Sequence, residues 1–171
     1  MKTRGIQISL GALLLIAGAG DAVAGRGGPD SSSSMIIVPG VSVGPVRAEM
    51  TPRQVIAKIG EPDRRNGATL EYWNLGFSVI PRGNRVHTVF CVDPSGQAGA
   101  FKKAFGGHTK EGVGMKSSRA DVIRAYGQPT ATERLDDDSA GEILRYKKQG
   151  LYFRLRAGKV DTIGVIFEAP K

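Results

Sequence analysis

Cysteine and histidine are the side chains that could supply a nucleophile and its base, and the chain has one cysteine and two histidines. Cys91 and His87 are four residues apart on an expected strand, which separates them by about 13 Å. A nucleophile and its base must instead lie within hydrogen-bond reach. His108 belongs to the connection between the two halves of the chain, and no pattern brings it to Cys91. The sequence therefore predicts a non-enzymatic protein without catalytic residues.

The state of the single thiol is a separate question. A lone cysteine in an exported chain can be a free thiol or can pair with another molecule. Period-two alternation places Cys91 on the inward face of its strand, at the position that Val165 occupies in a later, similar strand. We therefore expect a buried and unreactive thiol.

Acidic side chains are concentrated in one polar stretch, where they could bind a cation. The stretch contains Glu133, Asp136, Asp137, Asp138 and Glu142. Oxygen-rich loops can hold calcium, but the glycine-spaced EF-hand pattern is absent, and acidic runs in loops are more typical of solvated surfaces. The sequence also has no cysteine and histidine spacing for zinc and no glycine loop for phosphate. We expect neither a metal nor a cofactor.

Basic residues outnumber acidic ones, and the formal net charge is +8. Many of them fall in expected turns or on outward strand faces: Arg64, Arg65, Arg82, Arg85, Lys102, Lys103, Lys147, Lys148, Arg154, Arg156 and Lys159. Such a surface attracts anionic envelope polymers or an acidic partner, although solubility alone also accounts for it. Nucleic acid is not an expected partner, because few aromatic residues are interleaved with the basic ones and the chain carries an export signal.

Four residues are the best candidates for contacts with a partner. Trp73 is the only tryptophan and is expected at the tip of a hairpin, and tryptophan, tyrosine and arginine dominate interface hot spots. Tyr152, Arg154 and Arg156 alternate with apolar residues, so they share one outward strand face. The alternative for Trp73 is that it folds back over Leu75 or the neighbouring half and belongs to the core.

These candidates must be positioned by a chain that repeats itself. Residues 51–62 read TPRQVIAKIGEP, and residues 118–129 read SRADVIRAYGQP. Each copy has a capping hydroxyl residue, Gln or Asp three positions later, and a glycine followed by a proline at its end. This pattern predicts a helix of about eight residues. A helix this short needs a sheet to pack against.

The segments that follow the two helices repeat as well. Residues 70–92 and 144–166 align without gaps at an offset of 74, which pairs Tyr72 with Tyr146 and Gly76 with Gly150. Alternating apolar residues and two turns in each copy predict a meander of three antiparallel strands. The extra residues of the second copy fall in TATERLDDDSAGE, which we expect to be a polar loop.

The repeat leads to a prediction of fold class and domains. We expect an α+β protein of two tandem modules, each a short helix or helix pair packed on an antiparallel three- to four-stranded meander. The modules span residues 35–97 and 98–171. Residues 35–38, MIIV, are expected to form an edge strand or a plug against the first module.

Residues 1–24 have the features of a secretory signal peptide. Lys2 and Arg4 precede a short apolar core, and Ala22-Val23-Ala24 is a typical cleavage site. The apolar core is too short to span a bilayer, and we expect no transmembrane segment in the mature chain. Residues 25–34, GRGGPDSSSS, are expected to be a flexible linker. The mature protein is predicted to be periplasmic or secreted.

The chain resembles the β-lactamase-inhibitor-protein-like superfamily in one recurring pattern. The pattern is a capped helix that ends in Gly-x-Pro, followed by strands that carry Tyr, Gly and Arg-Val or Lys-Val. That superfamily includes tandem secreted inhibitors and the outer-membrane assembly lipoprotein BamE of the SmpA/OmlA type. The likeness covers nearly all of residues 41–167, in two copies, whereas a BamE-type protein has one copy and a lipidated cysteine. The resemblance implies a non-enzymatic binding module whose sheet face or loops contact another protein.

Two functions are compatible with these patterns. The first is an exported protein-binding or inhibitory module of the bacterial envelope, whose partner is another envelope or secreted protein. The second is an envelope-associated structural protein that binds anionic surface polymers electrostatically. High salt weakens electrostatic adhesion and leaves a specific protein complex largely intact, so salt dependence separates the two.

Overall fold

The computed structural model describes residues 35–96, 101–135 and 141–167. The predicted signal peptide at residues 1–24 and the predicted linker at residues 25–34 lie outside these ranges. The expected module boundary between residues 97 and 98 lies outside them too. The described chain is built mainly from short β-strands, with two α-helices.

The strands and helices form two similar series along the chain. The first runs β1 (Ile36–Val38), β2 (Ser42–Val43), β3 (Val46–Arg47), α1 (Pro52–Ile59), β4 (Arg64–Asn66), β5 (Thr69–Tyr72), β6 (Phe77–Arg82) and β7 (Arg85–Val92). The second runs β8 (His108–Thr109), α2 (Arg119–Tyr126), β9 (Ala131–Arg134), β10 (Glu142–Tyr146), β11 (Leu151–Arg156) and β12 (Lys159–Ile166).

The predicted caps of both helices are confirmed. Thr51 and Gln54 close a capping box at the start of α1, and Ser118 and Asp121 close one at the start of α2. These boxes satisfy backbone N–H groups that the first helical turn leaves without partners. Each helix is followed by a glycine with a positive φ, a conformation that L side chains rarely adopt.

The strands of the described chain form two sheets. The smaller has the order β3-β2-β1-β8, with β1 parallel to β8. β1 is therefore an inner strand, and the expectation of an edge strand or plug at residues 35–38 is wrong, because both of its sides are paired. The larger sheet has the order β4-β5-β6-β7-β12-β11-β10-β9, and all of its neighbouring strands are antiparallel.

The predicted fold class is wrong. The described chain is mostly β and does not form two helix-on-meander modules, because strands from both halves belong to one continuous sheet. The last strand of the first half, β7, pairs with the last strand of the second half, β12. In two separate modules, β7 and β12 would both be long, apolar edge strands with unpaired backbone groups. Pairing them with each other removes both edges.

Two strands of the larger sheet are not located by the sequence, although the expected meander of three to four strands allows for a fourth strand in each half. β4 and β9 are its outermost strands, and β9 forms inside TATERLDDDSAGE, the stretch predicted to be a polar loop. Their side chains are almost all exposed, so neither strand shows the period-two apolar pattern of a half-buried strand. Short, charged strands are typical of sheet edges, where they discourage pairing with other chains.

The offset of 74 reappears as a twofold arrangement within the larger sheet. Its centre is the pair Phe90–Gly164, whose members are 74 residues apart and directly opposite each other. The pairs Thr88–Ile166 and Val92–Thr162 lie on either side of it. Adding 74 to Thr88 gives Thr162, and adding 74 to Val92 gives Ile166, so a twofold rotation about the central pair interchanges these two pairs. The positions of residues 70–92 therefore have counterparts in residues 144–166 on the same face of the sheet.

The larger sheet has two faces of different character. Its inner face packs with Val55 of α1 and Val122 of α2 in one core. The Tyr72 hydroxyl donates to Gly60 O at 3.2 Å, and burial raises the pKa of Tyr72 to about 12. The inner face includes Leu70, Tyr72, Phe77, Val79, Val89, Cys91, Leu144, Tyr146, Phe153, Ile163 and Val165, all buried. We call the opposite face the outer face; its central row is Glu71, Ser78, Phe90, Gly164, Tyr152 and Arg145.

Candidate functional site

The outer face holds three of the four predicted partner-binding residues. Tyr152 lies in its central row, and Arg154 and Arg156 follow at two-residue spacing along β11. The inner face is fully buried, but Phe90, Arg145 and these three residues are only partly buried. The outer face therefore offers aromatic and guanidinium groups to solvent without a helix packed over them in the described chain.

Tyr152 occupies the space over Gly164 of the neighbouring strand. A Cβ atom on Gly164 would lie 2.0 Å from a carbon of the Tyr152 ring, so only glycine leaves room for the ring in this position. The ring meets Phe90 edge-on, with centroids 5.8 Å apart, and the Arg145 guanidinium carbon lies 5.7 Å from the Tyr152 centroid. Burial raises the pKa of the Tyr152 hydroxyl. We call Phe90, Gly164, Tyr152 and Arg145 the aromatic cluster.

Arg145 is held in this cluster by Glu133 of the edge strand β9. Its Nε and Nη2 atoms donate to the two carboxylate oxygens of Glu133 at 2.5 and 2.8 Å, a bidentate geometry that fixes the guanidinium plane. The hydrogen bonds from Arg145 lower the pKa of the Glu133 carboxyl. The strand that the sequence does not predict thus orients a residue at the centre of the outer face.

Arg154 and Arg156 converge on one carboxylate. Arg154 Nε donates to Asp161 Oδ1 at 2.8 Å, and Arg156 Nε lies 3.4 Å from Asp161 Oδ2. The Asp161 side chain is 6% exposed, while those of the two arginines are 20% and 32% exposed. One buried carboxylate therefore balances two guanidinium groups, and a net positive charge remains beside the aromatic cluster. In the described part of the chain, Arg154 Nη2 is buried without a hydrogen-bond acceptor.

A β-bulge makes this arrangement possible. The register of β11 and β12 shifts between Arg154 and Leu155, so that Asp161 is an extra residue in β12. An extra residue re-aims its side chain, and Asp161 meets Arg154 on the outer face. The first half has a bulge at the corresponding place, where the extra residue is His87 and its Nδ1 lies 2.8 Å from Thr88 Oγ1.

Trp73 lies away from the other three candidates. It is half-buried in the turn between β5 and β6, and its indole N–H donates to Glu71 Oε2 at 2.8 Å. Three strands separate β5 from Tyr152 on β11, a backbone distance of about 19 Å. The structure therefore brings Tyr152, Arg154 and Arg156 together and places Trp73 beside Glu71, at the other end of the central row.

The residues considered for catalysis are not assembled into a site. Cys91 is completely buried on the inner face, as predicted, and burial raises the pKa of its thiol well above the usual range. His87 instead contacts Thr88, and burial and the nearby charge of Arg82 lower the pKa of His87. A protonated thiol in an apolar core is a poor nucleophile.

A second polar cluster, which the sequence patterns do not predict, joins Asp93, Ser95 and Lys116. Lys116 Nζ donates to Asp93 Oδ2 at 2.8 Å and to Ser95 Oγ at 2.5 Å, and Ser95 N donates to Asp93 Oδ1 at 2.8 Å. Burial tends to raise the pKa of Asp93, but the hydrogen bonds from Lys116 and Ser95 outweigh it and lower the pKa. Lys116 thus joins the carboxylate of Asp93 and the hydroxyl of Ser95 in one hydrogen-bonded network.

The acidic stretch considered for calcium is only partly within the described ranges. Asp136, Asp137 and Asp138 lie outside them, Glu133 bonds to Arg145, and Glu142 forms an ion pair with Arg119 at 3.1 Å. Within residues 35–96, 101–135 and 141–167, no group of three or more His, Cys, Asp or Glu residues is placed to hold a metal ion.

Sequence reasoning missed Phe90, Gly164 and Asp161 as parts of the outer face. A glycine in the middle of an apolar strand is a usable signal, because it marks a close approach by another group. Asp161 also interrupts the run from Val160 to Ile166, and a buried aspartate in a strand calls for a charged partner. Neither signal identifies the side chain that makes the contact, because that side chain comes from a neighbouring strand and depends on strand pairing.

Comparison with known proteins gives limited information. No family model and no curated protein matches the chain. A solved DUF4309 family protein, YjgB from Bacillus subtilis, is 14% identical, with 69% of this chain and 78% of that chain covered and a TM-score of 0.46. An extracellular protein containing an SCP domain from Bacillus anthracis is 9% identical, with 75% of this chain and 46% of that chain covered and a TM-score of 0.44. Neither likeness is strong enough to support an argument about fold or function.

The helices were also compared with the requirements of a membrane span. Neither helix in the described ranges has the length and apolar character needed to cross a bilayer.

Proposed function

We propose that the chain is an exported, non-enzymatic protein-binding or inhibitory module of the bacterial envelope, and that the outer face of its larger sheet contacts the partner. The export signal in residues 1–24 and the resemblance to the β-lactamase-inhibitor-protein-like superfamily support this proposal from the sequence. The partner is another envelope or secreted protein.

One observation carries the proposal. The aromatic cluster and the arginines beside it form a partly exposed patch of Phe90, Arg145, Tyr152, Arg154 and Arg156. Aromatic and arginine side chains are enriched in protein interfaces and contribute most of the binding energy there.

The patch is also held rigid before any partner binds. Glu133 fixes Arg145, and Asp161 fixes Arg154. Ordering a free arginine side chain at an interface costs about 0.5–1.5 kcal/mol. Carboxylates that already hold the arginines reduce this cost, which is the behaviour of a preformed recognition surface.

A second candidate, electrostatic adhesion to anionic envelope polymers, is favoured by the exposed basic residues at the rim of the sheet. Arg64, Lys147, Lys148 and Lys159 are all exposed. Adhesion of this kind depends on total charge, so it is distributed over the rim and does not depend on the aromatic cluster.

The test uses the mature chain, residues 25–171, as bait for envelope extract, followed by calorimetry with the captured protein. We expect a 1:1 complex that persists in about 0.5 M salt, where surface charges are screened within about 4 Å. Tyr152→Ser should weaken the complex at least about tenfold. Arg53→Ala, at an exposed position on α1, is the matched control and should leave the affinity unchanged.

Two results would refute the proposal. Binding that disappears at high salt and responds equally to Lys148→Glu and to Tyr152→Ser would favour electrostatic adhesion. A complex weakened by Arg53→Ala and unaffected by Tyr152→Ser would place the interface on the helical side.

A further inference from the structure

The outer face differs between the two halves of the chain, whereas the inner face has the same character in both. Inner positions 74 residues apart are apolar in both halves: Leu70 and Leu144, Val79 and Phe153, Val89 and Ile163, and Cys91 and Val165. Outer positions 74 residues apart carry unlike side chains: Glu71 and Arg145, Ser78 and Tyr152, Ile80 and Arg154, and Phe90 and Gly164. The shared core accounts for the likeness of the inner face, and the outer face is left with two halves of different chemistry.

The first half of the outer face carries three apolar side chains that lie close together. Ile80 and Ile166 both pair with Thr88 and lie on either side of it, and Phe90 follows two residues along the same strand. All three side chains are partly exposed, and among the described residues they belong neither to the core nor to the apolar side chains packed against it. We call Ile80, Phe90 and Ile166 the apolar patch. Apolar side chains of this kind form the centre of protein interfaces, where they are removed from water.

The second half of the outer face carries a cationic site, formed by Arg154 and Arg156. These two residues share the single carboxylate of Asp161, which leaves one positive charge in excess. The side chain of Arg156 is 32% exposed and that of Arg154 is 20% exposed, so the Arg156 guanidinium is the easier one for an incoming group to reach. A carboxylate is the protein group whose charge and geometry suit a guanidinium best.

The apolar patch and the cationic site lie on opposite sides of the central row. Ile80 is in the row of Thr88, and Arg154 is in the row of Val92, on the other side of Phe90. Three strand spacings and four residues along the strands separate Ile80 from Arg154, a backbone distance of about 20 Å. A standard interface covers about 800 Å² of each partner, which is wide enough to include both sites. A single partner can therefore contact the two sites at the same time.

We propose that the partner protein binds the outer face in one orientation, with an acidic side chain on the cationic site and an apolar side chain on the apolar patch. The inference rests on the proposed function and names the chemistry of the partner. The acidic side chain balances the excess positive charge of the cationic site, and the apolar side chain covers residues that the core does not use. A partner rotated by half a turn about the sheet normal would meet the wrong chemistry at both sites, which makes the orientation specific.

Other occupants of the outer face fit this chemistry less well. A second copy offers no unpaired carboxylate there, because the acidic side chains of the outer face in the described residues are already bonded: Glu71 to Trp73, Glu133 to Arg145, and Asp161 to Arg154. An anionic polymer would meet the cationic site and leave the apolar patch in water. Both alternatives are outcomes of the test.

The first test concerns the apolar patch and measures, by calorimetry, the affinity of the full mature chain for the protein captured from envelope extract. Ile80→Thr keeps a β-branched side chain and removes apolar surface, so we expect it to weaken the complex about tenfold. Val41→Thr is the matched control, because Val41 is 49% exposed and lies outside the larger sheet, between β1 and β2. It should leave the affinity unchanged. Melting curves of both variants show that they fold.

The second test concerns the cationic site. Arg156→Ala removes the more exposed guanidinium, while Arg154 keeps its hydrogen bond to Asp161. We expect the complex to weaken about tenfold at low salt, and this loss should shrink as the salt concentration rises. The loss caused by Ile80→Thr should be the same at low and high salt, because it comes from apolar contact.

The chain supplies a matched control for Arg156. Arg82 lies 74 residues before Arg156 and is exposed at the start of the corresponding turn, between β6 and β7. The position of Asp161 is taken there by His87, so the first half has no copy of the cationic site. Arg82→Ala should change the affinity less than about threefold, through long-range charge alone.

A double variant tests the single orientation. Ile80→Thr and Arg156→Ala lie far apart, so in one bound orientation their effects should combine to a loss of about a hundredfold. Two alternative orientations, each using one site, would give losses of only about twofold in the single variants and a large loss in the double variant. That second pattern would overturn the inference.

Three further results would overturn it. The first is equal weakening by Arg156→Ala and Arg82→Ala, which would show that binding follows total charge, as for an anionic polymer. The second is an affinity that Ile80→Thr does not change. The third is a dimer of the mature chain alone, measured by analytical ultracentrifugation, that Ile80→Thr dissociates; a second copy would then cover the apolar patch.

The inference and the proposed function fail separately. If Tyr152→Ser weakens the captured complex while Ile80→Thr and Arg156→Ala do not, the proposed function stands and the inference is wrong. Capture of no protein would refute both.

Discussion

The packing of Tyr152 over Gly164 predicts that Gly164→Ala lowers the stability of the wild type and that removing the Tyr152 ring abolishes or reverses this effect. In Gly164→Ala, the new Cβ would lie 2.0 Å from a ring carbon, and an ordinary carbon contact is about 3.5–4.0 Å. The ring must therefore move by about 1.5 Å or more. It then loses its contact with Phe90, worth about 0.5–1.5 kcal/mol, and its contact with Arg145, worth about 0.5–1 kcal/mol. We expect Gly164→Ala to lower the free energy of unfolding by about 2 kcal/mol.

The same substitution should have the opposite effect once the ring is removed. Gly164 does not have a positive φ, so alanine can adopt its backbone conformation. In a Tyr152→Ser background nothing clashes with the new methyl group, and alanine in a strand is favoured over glycine by about 0.5–1 kcal/mol. Ser78 faces Phe90 in the first half as the counterpart of Tyr152, so a serine is already present at the equivalent position.

Urea unfolding of the four proteins in this cycle gives the coupling energy directly, with Trp73 fluorescence and far-ultraviolet circular dichroism as two probes of one transition. We expect Gly164→Ala to destabilise the wild type and to be neutral or stabilising in Tyr152→Ser, a coupling of about 2–3 kcal/mol. Equal destabilisation in both backgrounds would show that Tyr152 does not lie over Gly164.

Three further predictions concern other parts of the molecule. Asp161→Asn should lower the free energy of unfolding by about 2–3 kcal/mol in urea, because two partly buried guanidinium groups lose their carboxylate; a change below about 0.5 kcal/mol would contradict the account. Hydrogen bonds from Ser118 lower the pKa of Asp121 from 3.8 to about 2. The ionised Asp121 carboxylate therefore stabilises the folded protein fully above the usual carboxyl pKa, and this stabilisation is lost as the pH falls towards 2. Melting curves of Asp121→Asn should lack that part of the acid dependence, while Gln54→Ala in the neutral capping box should shift the melting temperature equally at every pH. Cys91 should resist a thiol reagent in the native protein and react after denaturation, and rapid native labelling would contradict its burial.

Local chemistry made the helices predictable. A capping box, a short apolar stripe and a terminal glycine act within about a dozen residues, so Thr51 and Ser118 identify both helix starts without knowledge of the rest of the chain. The alternation of Phe77 and Val79, or of Phe153 and Leu155, likewise identifies the buried face of a strand.

Pairing between distant strands was not predictable in the same way. Nothing within β7 or β12 specifies that each pairs with the other, because the same apolar alternation would serve two separate sheets. β4 and β9 carry almost only exposed polar residues, and their pairing partners alone make them strands. Asp161 reaches Arg154 through a bulge between β11 and β12, and a bulge depends on that pairing. The sequence therefore predicts which residues lie on the outer face, but it does not predict how their side chains are arranged there.

The central claim is that a partner binds the outer face of the larger sheet, and side-chain footprinting of the captured complex tests it most directly. Hydroxyl radicals oxidise exposed aromatic side chains, and the chain supplies its own control, because Tyr126 on α2 lies on the helical side of the sheet. We predict that oxidation of Phe90 and Tyr152 falls when the partner binds, while oxidation of Tyr126 does not change. Protection of Tyr126 with unchanged oxidation of Phe90 and Tyr152 would contradict the claim.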